Sequence, residues 1–397
     1  MRIGVAGPID LVMLRDLFSA GSQICRTYSF PLTASLARSL HNKGHNLALF
    51  ALSREVTEIH RVYGERITAY ICPRRRPRSQ MLDFFRGERR VLCAAMREAK
   101  CDVIHAHWTY EFASAAIESG VPAVVTAHDI PTVVLRFARH PYWLERPLLA
   151  WPVLRNAKCI TAVSPYVAQA LRRFVKPDRQ IAVVPNGATS EVFALYEKRI
   201  PRSIGASFRF ASVLNGWGPR KNGFRLIQAF AVLRKEFGEC VELSMFGEGH
   251  EPGGPAQQWA RLRHLDPGVT FEGSVPHNCL INRLVSSVDA LVHPSREETF
   301  GMAILEAMAL GIPVIAGKFS GAVPWVLGFG AAGLLVDVVS ATSIASGMRS
   351  LLVDSQLRNA LAHSGRQKAL DEYRLEEVTD QYEAVLAKAV QEQTAHS

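Results

Sequence analysis

Two carboxylates eight positions apart, Glu298 and Glu306, frame the segment of this chain with the most chemical content. Read as a helix, Met302 to Leu310 is apolar at every position except Glu306. A helix that is hydrophobic all round is a buried one. A carboxylate is rarely buried without a partner, because an unpaired buried charge is costly. Glu306 is therefore expected to hold something. Glu297, Glu298, Thr299 and Gly301 stand just upstream, at the expected helix start. A helix N-terminus offers unpaired N–H groups and the positive end of its dipole, which suit a phosphate. Acids around an anion-binding helix start point to a phosphorylated, hydroxyl-rich ligand such as a nucleotide sugar.

Cations that could meet the same ligand lie in Gly218-Pro-Arg220-Lys221-Asn-Gly223, at the carboxyl end of an expected strand. Lys221 would act there as a point charge and Arg220 as a fork; the competing reading is a solvated loop. Gly247-Glu-Gly249 also follows a strand but has Pro252 where a dinucleotide fingerprint needs its third glycine. Gly247 is thus either a tight-turn residue or a phosphate contact. His105 and His107 share one face of a strand by its period of two, and His128 follows the apolar run Ala123–Ala127 directly. Side chains at strand ends are where such sheets do chemistry. A metal site would need a third ligand at known spacing, and no D-x-D pair exists to hold a metal-bound diphosphate. No metal is expected. The clusters Arg74–Arg78 and Arg86–Arg90 flank Met81-Leu-Asp-Phe-Phe85. Basic groups around exposed aromatics suit an anionic membrane surface, with a solvated helix face as the alternative. No nucleic-acid recognition motif accompanies them, so no nucleic-acid partner is expected.

These residues need elements to position them. Short β-branched runs alternate with helical patterns along the whole chain, which means parallel sheets with crossover helices. In the first half strands are expected near 2–6, 46–51, 102–107, 123–127, 159–163 and 181–184, and in the second near 208–214, 241–246, 269–272, 290–293, 313–316 and 334–337. A polar break near 194–206 divides the two series. The expected architecture is α/β, with two Rossmann-like domains whose ligands bind at strand carboxyl ends and in the cleft between them. Residues 1–195 would form the first domain, 196–375 the second, and 376–397 a helical tail.

A chain of 397 residues with 48% hydrophobic and 21% charged residues fits two globular domains. No apolar run is long enough to span a bilayer, and the N-terminus reads as a short strand, so a cytoplasmic location is expected. Seven cysteines without a C-x-x-C pair point to reduced thiols. The surplus charge of +10 belongs to residues 1–195, the remainder being close to neutral, which fits an anionic partner on that half.

Taken in order, the motifs resemble a retaining glycosyltransferase of family 4 with the GT-B fold. The resemblance runs over nearly the whole chain, through Leu36–His45, Asp102–Trp108, Val125–Asp129, Ile160–Ser164, Val184–Gly187, Phe246–Gly249 and Val292–Ser295. It is most specific in Glu298 to Val314, where Glu298 and Glu306 match the family's E-x7-E pair. The resemblance implies that Glu298 faces the donor sugar, that Glu306 accepts from the nucleotide ribose, and that the amides of Phe300, Gly301, Met302 and Ala303 face the diphosphate. Thr299 and Gly247 fall on the same donor side. Lys221 matches the lysine that neutralises the departing diphosphate, and His128 the acceptor-domain histidine near the reacting centre. No cofactor is implied beyond the nucleotide sugar as substrate. The expected acceptor is a glycan or a lipid-linked molecule. Two departures stand out: Asn215 replaces an expected arginine, and Ser320–Trp325 lacks an expected acid.

The implied reaction moves a hexose-type sugar to an acceptor hydroxyl with retention, by a covalent intermediate or a front-face route. Positive groups would stabilise the leaving phosphate and carboxylates the oxocarbenium-like sugar. A nucleotide-sugar epimerase on the same scaffold is the rival enzyme, and a non-catalytic nucleotide-sugar-binding subunit the rival without turnover. A dinucleotide oxidoreductase fits less well without an intact G-x-G-x-x-G.

Overall fold

The computed structural model describes residues 1–28, 30–137, 141–199 and 207–394. Residues 200–206 of the expected polar break lie outside it. The chain forms two compact units: residues 1–186 together with 375–397, and residues 187–374. The last helix, Leu375–Thr394, therefore belongs to the first unit and is not a separate tail. The reason is its apolar stripe: Val378, Tyr382, Leu386 and Ala389 are buried in the first unit's core beside Ile3, Val5, Leu40 and Leu49.

The first unit holds an eight-stranded sheet: β1 (Arg2–Ala6), β2 (Asn46–Ser53), β3 (His60–Gly64), β4 (Ile67–Pro73), β5 (Val103–His107), β6 (Ala123–Ala127), β7 (Cys159–Ala162) and β8 (Ile181–Val183). Their spatial order is β3-β4-β2-β1-β5-β6-β7-β8. All neighbours pair in parallel except β3 with β4. That hairpin is absent from the sequence expectation. In β3 only Val62 is buried, so its alternation is faint, and Arg66 makes the turn at φ +56° without the usual glycine. Helix Pro31–Asn42 starts on a proline, whose fixed φ suits a first turn, and ends before Gly44 at φ +93°.

The second unit holds a six-stranded parallel sheet: β9 (Phe208–Val213), β10 (Val241–Phe246), β11 (Val269–Gly273), β12 (Ala290–His293), β13 (Val314–Gly317) and β14 (Leu334–Val336). The order is β11-β10-β9-β12-β13-β14. All six agree with the sequence expectation to within a residue or two at their ends. Phe210, Leu243, Met245, Val292 and Ile344 fill its core. In each sheet the order reverses beside the first strand of its series, between β1 and β5 and between β9 and β12. Such a reversal opens a crevice at the strand carboxyl ends, where ligands bind.

Candidate functional site

The residues expected on the donor side gather at the second reversal point. Strand β9 ends at Val213 and leads to Lys221; β12 ends at His293 and leads to Glu298. The Lys221 ammonium donates to Glu298 Oε1 at 2.6 Å, and His293 Nε2 lies 3.0 Å from the same oxygen. Glu298 is buried. Burial opposes its ionisation, but the Lys221 charge and the His293 hydrogen bond outweigh it and hold the carboxyl well below the usual carboxylate range. Its backbone is fixed as well: the Glu298 carbonyl accepts from Ala322 N at 2.9 Å, and Glu298 bridges Gly321 in parallel. The segment Ser320–Trp325, which departs from the resembled pattern, thus still anchors Glu298 through its backbone.

Arg220 is half-buried, and its guanidinium lies 3.7 Å from the buried Glu297 carboxylate. The structure places Arg220 on Glu297, and Asn215 is exposed just after β9. Asn222, a residue without a role in the sequence reading, locks this loop. It sits at φ +59°, and its side-chain amide donates to Pro294 O at 3.0 Å and Val338 O at 2.8 Å. Asparagine is among the few side chains tolerant of that backbone region. One residue thereby ties the Lys221 loop to the ends of two other strands.

Thr299 and Phe300 lead into helix Met302–Ala309 through Gly301 at φ +98°. The Phe300 ring is buried against Trp325 and Tyr373 at 6.2 and 5.5 Å, leaving the backbone as the part that can face a ligand. Glu306 corrects the expectation of a helix buried all round. Met302, Ala303 and Glu306 are only partly buried, and Glu306 Oε1 already has a partner, His277 Nε2, at 2.7 Å. That hydrogen bond raises the His277 pKa. His277 opens helix His277–Ser287 just beyond β11, and nothing in its sequence context announces the contact. Gly247 has φ +105°, and a Cβ there would lie 2.1 Å from the Leu214 carbonyl. Close backbone approach therefore requires glycine at 247, which favours the turn reading.

His128 belongs to the first unit. Its Nε2 lies 2.9 Å from His107 Nδ1, and its ring is 4.4 Å from Trp108. Burial pushes the His128 pKa down to about 3, and burial also lowers His105 to about 3 and His107 well below its ordinary value. The His105 ring lies 4.2 Å from that of His107, as the strand period requires. His105 Nε2 bonds Thr126 Oγ1 at 2.7 Å, which in turn bonds Thr161 Oγ1 at 2.7 Å. With both imidazoles held neutral, one nitrogen of the His107–His128 pair donates and the other accepts. Trp108, at φ +64°, occupies a backbone region that a bulky residue rarely enters. Among the described residues no cluster of three or more His, Cys, Asp or Glu could hold a metal ion.

In the 74–90 segment the charge is partly spent. Arg75 pairs with Asp83 and Glu88, Arg89 with Glu118, and Arg74 lies over the Tyr28 ring at 4.2 Å. Phe85 is buried, while Leu82, Phe84, Arg76, Arg78, Arg86 and Arg90 are exposed. Among the described residues no helix is long and apolar enough to cross a membrane.

Residues 209–368 match the family Glycosyl transferases group 1, and residues 32–192 match Glycosyltransferase Family 4. Over 303 residues the chain is 26% identical to the N-acetyl-alpha-D-glucosaminyl L-malate synthase of Bacillus anthracis, covering 73% of this chain and 75% of that one. Its fold resembles sucrose-phosphate synthase from Thermosynechococcus elongatus with a TM-score of 0.75, 16% identity and full coverage of both chains. It also resembles Anabaena Alr3699/HepE, solved in complex with UDP-glucose, with a TM-score of 0.67 and 17% identity over 98% of this chain and 100% of that one.

Proposed function

The chain is a family 4-type GT-B glycosyltransferase, and from that premise we propose that it moves a hexose-type sugar, with retention, from a nucleotide-sugar donor to a hydroxyl of a glycan, glycolipid or lipid-linked acceptor. One observation carries the reading: a buried Glu298 kept ionised by Lys221 and His293, three residues before the Gly301 helix start. In this reading the bond from the sugar anomeric carbon to the diphosphate oxygen breaks, and a bond to the acceptor oxygen forms. The acceptor proton passes to the departing phosphate. Lys221, Arg220 and the helix N–H groups take up the growing phosphate charge, and Glu298 stabilises the oxocarbenium-like sugar. Glu306, steadied by His277, accepts from the ribose. His128 meets the acceptor side as a neutral imidazole. In this reading no metal takes part in the reaction, so a chelator should leave the rate unchanged. A UDP-glucose-bound structural neighbour supports the donor class.

The exposed Leu82 and Phe84, flanked in sequence by the exposed Arg76, Arg78, Arg86 and Arg90, support docking on an anionic cytoplasmic membrane surface. Flotation with anionic liposomes should be lost on charge reversal of those arginines. For the main reading, nucleotide sugars are screened by thermal shift, since a ligand of the native state raises the midpoint. Turnover is then followed with and without acceptor. Nucleotide diphosphate release that depends on an acceptor supports the transferase. Conversion of the donor alone would identify an epimerase, and binding without turnover a non-catalytic subunit.

A further inference from the structure

Two cavities in the first unit draw lining residues from the same helix and the same loop. The smaller, about 100 Å³, is bounded by Tyr28, Trp108, Tyr110, Asp129, Trp143 and Arg146. It is aromatic but furnished with fixed polar groups. The Tyr110 hydroxyl donates to both Asp129 oxygens at 2.9 and 3.0 Å, and buried Arg146 pairs with Glu111 at 2.9 Å and lies 4.5 Å from the Tyr110 ring. Trp108 is also the residue packed on His128. Aromatic faces with oriented hydrogen-bonding groups suit a hydroxylated ring.

The larger, about 230 Å³, is walled by Pro131, Leu148, Trp151, Leu154, Leu171 and Phe174. It is almost wholly apolar. Helix Pro141–Asn156 runs through both: Trp143 and Arg146 line the first, and Leu148, Trp151 and Leu154 the second. The loop after β6 does the same, with Asp129 in the first and Pro131 in the second. On the same helix Leu144, Leu148 and Trp151 are 63%, 62% and 55% exposed, at spacings of four and three that put them on one face. A contiguous apolar strip of this kind marks an interaction surface.

Resting on the transferase reading above, we propose that the acceptor is an amphiphile, with its hydroxylated head in the Trp108–Asp129 cavity and its hydrocarbon chain in the Leu148–Trp151 groove. Adjacency decides the occupant: Arg146 of the polar cavity is followed in the helix by Pro147 and Leu148 of the apolar groove, and Asp129 of the one lies two residues before Pro131 of the other, a layout that suits a head joined to a chain.

Alkyl glucosides of increasing chain length, kept below their micelle concentrations, serve as probes, with glucose as the chainless control. Binding is read by tryptophan fluorescence and calorimetry on the full chain. Affinity should rise with each added methylene by up to about fourfold, the transfer free energy of one buried CH₂, until the groove is filled. Leu148→Ser with Trp151→Ser changes two exposed positions and should keep the thermal midpoint. It should abolish the chain-length dependence and weaken the longest probe at least tenfold. Affinity independent of chain length, or untouched by the double variant, overturns the proposal. Two other outcomes also overturn it: chain-length dependence only when anionic vesicles are present, which assigns the strip to a bilayer, and self-association that the double variant abolishes, which assigns it to a second copy. The binding assay needs no turnover. Chain-dependent binding without acceptor-dependent nucleotide release would leave the groove standing and remove the transferase reading. Turnover indifferent to chain length would do the reverse.

Discussion

Glu298 and Lys221 act as one unit, so their substitutions should not add. Glu298→Gln or Lys221→Ala should each lower turnover by at least about 100-fold, the scale of one lost transition-state contact. The double variant should fall well short of the product of the two losses, because both remove the same 2.6 Å pair. Steady-state kinetics on the three folded variants checks this, and full multiplicativity would refute the coupling. Asn222→Ala should cost at least about 2 kcal/mol, from two neutral hydrogen bonds at about 1 kcal/mol each, with the strain of alanine at φ +59° added to that. Urea unfolding measures it. At this scale the sequence revealed the acids because a charge inside an apolar run is conspicuous. It concealed His277, His293 and Asn222, whose roles depend on which strand ends meet. Glu306 and His277 are 29 positions apart, and only the fold joins them.

Elements were legible where their pattern was strong. Every strand of the second sheet is a short apolar run between turn signals, and each was readable. The β3–β4 hairpin escaped because its edge strand buries one residue and its turn lacks glycine. The final helix was legible as a helix, but its allegiance to the first unit was not, since an amphipathic stripe does not name the surface that it covers. Its central residue gives a prediction. Tyr382 is fully packed in the first core, with its ring 4.6 Å from His105. Tyr382→Ala should destabilise the first unit by roughly 3–5 kcal/mol, as for other large aromatics cut to alanine. Hydrogen exchange resolved by segment should show the loss in β1, β5 and β6 and spare β9 to β14.

For the whole molecule, the buried histidines set an acid limit. His105 and His128 titrate near 3 when folded and near 6.5 when unfolded, so the unfolded chain binds more protons between those values. Their contribution is fully present above about pH 6.5 and is lost as pH falls toward 3, by about 1.4 kcal/mol per pH unit for each. Glu298, lowered on folding, adds a loss of the same sign below its own unfolded range. His277, raised on folding, works oppositely: its contribution fades as pH climbs through its folded value. Denaturation midpoints between pH 4.5 and 7 should therefore fall steeply toward acid, and His105→Phe should flatten the slope by about one proton. An unaltered slope would show that His105 is not neutral in the folded state.

The chain enters the second unit after Asn186 and leaves it after Arg374. At that doorway Ala188 N donates to Tyr373 O at 2.9 Å. The second unit is thus an insertion whose two ends are stitched together, placed ahead of the helix that completes the first unit's core. On the ribosome, order of synthesis and order of completion are then inverted. Residues 187–374 are whole once they have emerged, whereas the first-made residues wait for Val378, Tyr382 and Leu386. A nascent chain halted near residue 374 should hold a protease-resistant second unit and a protease-sensitive first one.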